Sequence, residues 1–101
     1  MITTDLNESL QSNQFVLADF YTPDCRFCKL MAPAIDAMGQ YYQDLAVVKV
    51  NLKEQPVFGD TFGIKALPTF IFFKDGQPIK QLEGQHPFHV LDGFVKEQLH
   101  G

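Results

Sequence analysis

At 101 residues the chain is expected to form one domain spanning residues 1–101, and with 46% of its residues hydrophobic it can bury a core without disulfide staples. A formal net charge of −4 and the lack of any basic run exclude a surface built for nucleic acid or anionic lipid. No apolar run approaches a membrane span, and the opening residues carry neither a basic nor an apolar leader segment, so a cytoplasmic protein is expected.

In chain order, Ile2-Thr3-Thr4 reads as a short strand. A weak helix follows, with Asp5 as N-cap, Glu8 three residues on, and Leu6 and Leu10 on one face. Phe15-Val16-Leu17-Ala18-Asp19-Phe20 has the continuous apolar character of a buried strand, and Thr22-Pro23-Asp24 ends it. Phe27, Leu30, Met31, Ala34, Ile35, Met38 and Tyr42 then recur at helical spacing, with Pro33 inside the pattern as an expected kink. Ala46 to Leu52 is a second buried strand, and the strand, helix, strand order implies a parallel pair with a right-handed crossover.

Gln55 to Phe62 permits a helix after Pro56, with Gly63 as its left-handed cap. Ile64 to Phe73 is expected as a strand interrupted near its head by Pro68. Asp75-Gly76 is a hairpin signal, and Pro78 to Glu83 is the returning antiparallel strand. Gly84 to Pro87 forms a turn. A final amphipathic helix carries Phe88, Leu91, Phe94, Val95 and Leu99, weakened by Gly93.

The only two cysteines lie in Asp24-Cys25-Arg26-Phe27-Cys28-Lys29, where a strand hands over to a helix. Unpaired N–H groups and the positive end of the helix dipole favour a thiolate at Cys25, which makes it the expected nucleophile. Cys28, one turn further in, can reach the same sulfur and is the expected resolving thiol. Such a pair can attack a disulfide through Cys25, form a mixed disulfide, and release the reduced partner when Cys28 attacks Cys25. In a reducing compartment a pair of this kind is more often redox-active than structural. His86, His89 and His100 cluster at the last helix without zinc-ligand spacing, so no metal is expected.

The chain resembles the thioredoxin family over nearly its whole length. The resemblance rests on Val16 to Phe20 leading into Cys25-X-X-Cys28-Lys29, on Ala32-Pro33, Lys49-Val50-Asn51, Gly63-Ile64 and Leu67-Pro68-Thr69, and on Phe73-Lys74-Asp75-Gly76 and Gly84. It implies an α/β fold with a central mixed sheet of four to five strands and helices on both faces. It further implies a thiol–disulfide oxidoreductase that reduces protein disulfides and takes electrons from a thioredoxin reductase. Such a protein works as a monomer with no cofactor beyond the Cys25–Cys28 disulfide.

The family match also suggests roles for other residues. Asp19 matches a buried aspartate that exchanges a proton with the resolving thiol, and burial in an apolar strand would raise its pKa toward neutrality. Lys49 matches a lysine near that aspartate, although a position flanked by Val48 and Val50 also fits a lysine facing solvent. Pro68 matches a cis-proline lining the substrate groove, with the Leu67 backbone offered to an extended peptide and Gly84 beside it; the residues alone do not predict a cis bond, and the alternative is an ordinary trans proline starting a strand.

Three positions depart from the family pattern: Asp24 stands where tryptophan is usual, and Arg26-Phe27 replaces Gly-Pro between the cysteines. These side chains flank the substrate surface. Arg26 favours the Cys25 thiolate and a more oxidising couple, and Asp24 opposes it. The altered surface keeps open a partner-specific or redox-sensing module with little general reductase activity; separately, the four cysteines of two chains could share a metal or iron–sulfur centre.

Overall fold

In the computed structural model, which describes residues 2–100, the chain runs β1 (Ile2–Thr3), α1 (Leu6–Ser12), β2 (Phe15–Tyr21), α2 (Arg26–Tyr41), β3 (Leu45–Asn51), α3 (Val57–Thr61), β4 (Thr69–Lys74), β5 (Gln77–Glu83), α4 (Phe88–His100). The strands form one mixed sheet in the order β1-β3-β2-β4-β5. β3 pairs in parallel with both β1 and β2, and the chain then reverses, so that β4 is antiparallel to β2 and β5 to β4.

Alternation along the central strands divides the core into two layers, because successive side chains leave a strand on opposite faces. Leu17, Leu45, Val47, Phe70 and Phe72 face one way and are covered by Met31, Ile35 and Met38 of α2 and by Leu91 and Val95 of α4. Val16, Ala18, Phe20, Val48, Val50, Ile71 and Phe73 face the other way, where Leu6 of α1 and, more loosely, Phe58 and Phe62 cover them. Each fully buried aliphatic or aromatic side chain stabilises the fold by roughly 1.5–3 kcal/mol. Two covered faces also account for the near-continuous apolar runs of β2 and β4.

Local signals act where the sequence places them. The Asp5 carboxylate accepts the Glu8 N–H at 3.0 Å, capping α1. Gly63 has φ 62°; the N–H of Ile64 reaches the Gly59 carbonyl at 2.9 Å and that of Gly63 the Asp60 carbonyl at 3.3 Å, a Schellman closure of α3. Asp75 (φ 52°) and Gly76 (φ 80°) both take the left-handed conformation that a two-residue hairpin turn between β4 and β5 requires. Pro78 lies on β5, the sheet edge, beside a bulge opposite Phe72 and Phe73.

One element differs from expectation. Ile64 to Pro68 is not strand; β4 begins only at Thr69, after a cis Leu67–Pro68 peptide bond. Proline has no N–H for the ladder, and the Thr69 hydroxyl bonds back to the Ala66 carbonyl at 2.6 Å, closing a local turn instead of extending the strand. Helix α2 runs through Pro33, which lies on its exposed side.

Candidate active site

The cysteine turn is built at the carboxyl end of β2. The Tyr21 carbonyl takes the Leu52 N–H at 2.8 Å, the last tie between β2 and the chain leaving β3. Thr22-Pro23-Asp24 then turns the chain, and the Cys25 N–H closes that turn on the Thr22 carbonyl at 3.1 Å. Cys25 is the N-cap of α2, with extended backbone (φ −77°, ψ 113°). Its Sγ accepts the Cys28 N–H at 3.2 Å, the position in which a serine or aspartate oxygen usually caps a helix. The two cysteines are joined as a disulfide with Cα atoms 5.3 Å apart. Cys28 is buried and Cys25 only half-buried, so Cys25 is the more open to a partner in solution.

Beneath the turn lies a cavity of about 140 Å³ lined by Asp19, Tyr21, Thr22, Pro23, Cys28, Lys29, Ala32 and Lys49. Strand alternation explains its floor. Asp19 shares the α2-facing side of β2 with Leu17, Lys49 shares it on β3 with Val47, and the two are direct partners in the parallel register. Asp19 is 5% exposed, and its Oδ1 has no hydrogen-bond partner among the described residues. Burial pushes the Asp19 carboxyl up to about 7; Lys49 pulls it down and Asp36 pushes it up. The wall is α2, whose residues Cys28, Ala32 and Asp36 follow one another at i, i+4 and i+8 along one stripe. Asp36 forms an ion pair with the Lys49 ammonium.

The cis Leu67–Pro68 bond lies at the same end of the sheet. Thr69, the first residue of β4, pairs with Phe20 near the end of β2, and Glu83, the last residue of β5, pairs with Thr69. The Gly84 N–H donates to the Pro68 carbonyl at 2.7 Å, and Gly84 takes φ 82° to make that contact. Pro68 is buried, whereas Leu67 and Gly84 are half-exposed.

At the outer surface Arg26 is exposed and Phe27 is 49% exposed. Asp24 is not a bare charge beside the cysteines: its carboxylate pairs with Lys53 Nζ at 3.1 Å, and that hydrogen bond, with a further one from Thr22, holds the carboxyl below its usual range.

Asp19, Cys28 and Lys49 thus meet in one cavity, and Leu67, Pro68 and Gly84 gather at the end of the sheet from which the cysteine turn leaves. Two partners were not read from the sequence. For Asp36 the one available signal was the helical stripe that starts at Cys28; Lys53 gave none, because it meets Asp24 only through the β2–β3 register that puts Asn51 beside Tyr21. Among the described residues no cluster of three or more His, Cys, Asp or Glu able to hold an ion occurs, and the His86 ring is engaged by the Glu83 carbonyl at 2.8 Å. Among the described residues no helix is long and apolar enough to cross a membrane.

Comparison with known proteins agrees with this geometry. The family model described as Thioredoxin matches residues 1–97. A thioredoxin of Alicyclobacillus acidocaldarius is 36% identical over 102 residues, covering 98% of this chain and 97% of its own. Thioredoxin 1 of Synechococcus elongatus is 42% identical over 93 residues, covering 91% of this chain and 87% of its own. The solved structure of oxidised mitochondrial thioredoxin 3 from Saccharomyces cerevisiae superposes with a TM-score of 0.85 at 31% identity, covering 96% of this chain and 93% of that one. With the paired cysteines at a helix N-terminus, these matches place the chain in the thioredoxin family, as a thiol–disulfide oxidoreductase that works through a redox-active disulfide.

Proposed function

We propose that this chain, acting as a single domain and a monomer, reduces disulfides in other proteins of a reducing compartment such as the cytoplasm. Cys25 is the attacking thiol and Cys28 the resolving one, and the observation that carries this assignment is the asymmetry of the pair. Cys25 caps α2, is half-buried, and accepts the Cys28 N–H, whereas Cys28 is buried over the Asp19 cavity. In the reduced protein the Cys25 thiolate sits at the helix N-terminus, where N–H groups and the dipole stabilise it.

The Cys25 thiolate attacks one sulfur of the substrate disulfide; a Cys25–substrate S–S bond forms, the substrate S–S bond breaks, and the other substrate sulfur leaves as thiolate. Asp19 takes the proton of Cys28, directly or through one water, and the Cys28 thiolate attacks Cys25 Sγ. The mixed disulfide breaks, the second substrate sulfur leaves and is protonated, and the Cys25–Cys28 disulfide remains. Two electrons pass from the dithiol to the substrate. A dithiol-generating reductase, of the thioredoxin reductase class, restores the pair.

Leu67, Pro68 and Gly84 form the wall against which an extended substrate segment lies, with the Leu67 backbone as its hydrogen-bonding edge. Asp24, Arg26 and Phe27 supply the exposed rim, and Lys49 tunes the Asp19 carboxyl. That rim is charged, and the Asp24–Lys53 ion pair favours a second reading in which the chain serves a narrow set of partners.

The test uses the reduced chain, freed of reductant and mixed with insulin at pH 7. One insulin disulfide should open for each Cys25–Cys28 disulfide formed, and Cys28→Ser should accumulate an adduct through Cys25. Adducts from cell extract that map to many proteins support the general reductase; adducts confined to one protein support the narrow module. Insulin left intact by a fully reduced chain contradicts the general reductase.

A further inference from the structure

Lys49 faces a choice of two carboxylates. Asp19 stands directly opposite it in the β2–β3 register, and both line the cavity under Cys28. Its ammonium nevertheless pairs with Asp36, two turns along α2 from Cys28, while Oδ1 of Asp19 makes no hydrogen bond among the described residues. Solvation explains the choice. The Asp36 side chain is 48% exposed and keeps much of its hydration, whereas Asp19 must shed its own to sit where it does.

We propose that Asp36 is a positioning residue of this active site: it holds the Lys49 ammonium against α2 and so leaves the Asp19 carboxyl free of a direct ion pair. An ammonium released from Asp36 would turn to Asp19, the one carboxylate among the described residues that lines the cavity, and stabilise its charged form. Asp36 also adds a negative charge that opposes ionisation of Asp19. Both effects raise the proton affinity of Asp19 and so make its carboxylate the stronger base. Lys29 and Tyr21 are the other titratable groups on the cavity besides Cys28, and β4 presents only the Phe70 ring opposite Asp19. The consequence for catalysis rests on the proton-acceptor role given to Asp19 above; the consequence for its titration does not.

The experiment follows the Asp19 carboxyl carbon by NMR across pH in the oxidised chain, where neither cysteine titrates. Asp36→Asn should lower the midpoint by about half a unit or more, the scale of one nearby charge, and Asp36→Glu should restore it. In a Lys49→Met background the same Asp36→Asn change should move the midpoint by less than half as much. An unchanged or raised midpoint in Asp36→Asn, or an equal shift with and without Lys49, overturns the proposal. If the midpoint falls as expected while the pH profile of insulin reduction stays fixed, Asp36 keeps its positioning role and Asp19 loses its role as proton acceptor.

Discussion

Asp19 and Lys49 are direct neighbours across β2 and β3, yet the lysine pairs with Asp36 and leaves the aspartate buried with an oxygen that has no hydrogen-bond partner among the described residues. A carboxyl so placed is costly to ionise, and the cost falls beneath the cysteine that has to lose a proton. Stability and proton transfer are therefore set against each other at one residue.

For Asp19 the folded pKa, about 7, lies above the unfolded value near 3.8. Below about pH 4 the carboxyl is protonated in both states and contributes no difference. Between pH 4 and 7 the unfolded chain has released the proton that the folded chain still holds, so stability falls as pH rises and levels off above 7. Asp19→Asn should remove this dependence and stabilise the protein at pH 8 by up to about 4 kcal/mol, from roughly three units at 1.36 kcal/mol each. Urea unfolding of both proteins at pH 4 and pH 8 checks it; equal midpoints at pH 8 would count against a raised pKa.

The same substitution should slow release of the mixed disulfide while leaving its formation at Cys25 nearly intact. Loss of a general base typically costs about 10²–10⁴-fold in the affected step. Stopped-flow measurement of each half-reaction separates the two, and an equal slowing of both would move Asp19 out of the resolving step.

Gly84 and Gly63 both hold left-handed backbone, and among the described residues a Cβ at either would meet no atom within 4 Å beyond its chain neighbours, so the conformation alone penalises a side chain. Each Gly→Ala change should cost about 1–2 kcal/mol. Gly84→Ala should in addition raise KM for a protein disulfide, because its N–H holds the Pro68 carbonyl at 2.7 Å. Gly63→Ala, at the end of α3, should leave KM unchanged. Thermal melts and insulin kinetics on the pair test this contrast.

Asp24 is paired with Lys53, so the field at Cys25 reflects a cation at Arg26 more than an anion at Asp24. Arg26→Ala should destabilise the thiolate and make the couple more reducing, by up to about 30 mV for each 1.4 kcal/mol lost. Lys53→Ala bares Asp24 and should act in the same direction but more weakly, since both side chains are exposed and salt screens them. Opposite signs for the two variants would contradict this electrostatic picture.

Much of this was legible in the residues. The order of elements followed from periodicity and turn chemistry, and Asp75-Gly76, Gly63 and Asp5 acted through the backbone conformations and caps their side chains dictate. What escaped was contact across elements. Ile64 to Leu67 has strand-like composition, but the chain there is committed to the cis bond and to the turn that Thr69 closes, and propensity carries no information about either. The family match brought Lys49 near Asp19, but which carboxylate takes its ammonium depends on how α2 lies across β3. Lys53 was hidden for a similar reason: it meets Asp24 only after β2 and β3 have paired, 29 residues apart along the chain.

The reduction potential of the Cys25–Cys28 couple, found by equilibrating the protein against defined glutathione ratios and counting trapped thiols, tests the reductase assignment most directly. A value more negative than the cytosolic glutathione poise of about −220 to −260 mV is expected, with Arg26 drawing it toward the upper part of the reducing range. A value above about −200 mV, or a pair that never closes to a disulfide at any ratio, would contradict a protein that donates electrons to the disulfides of others.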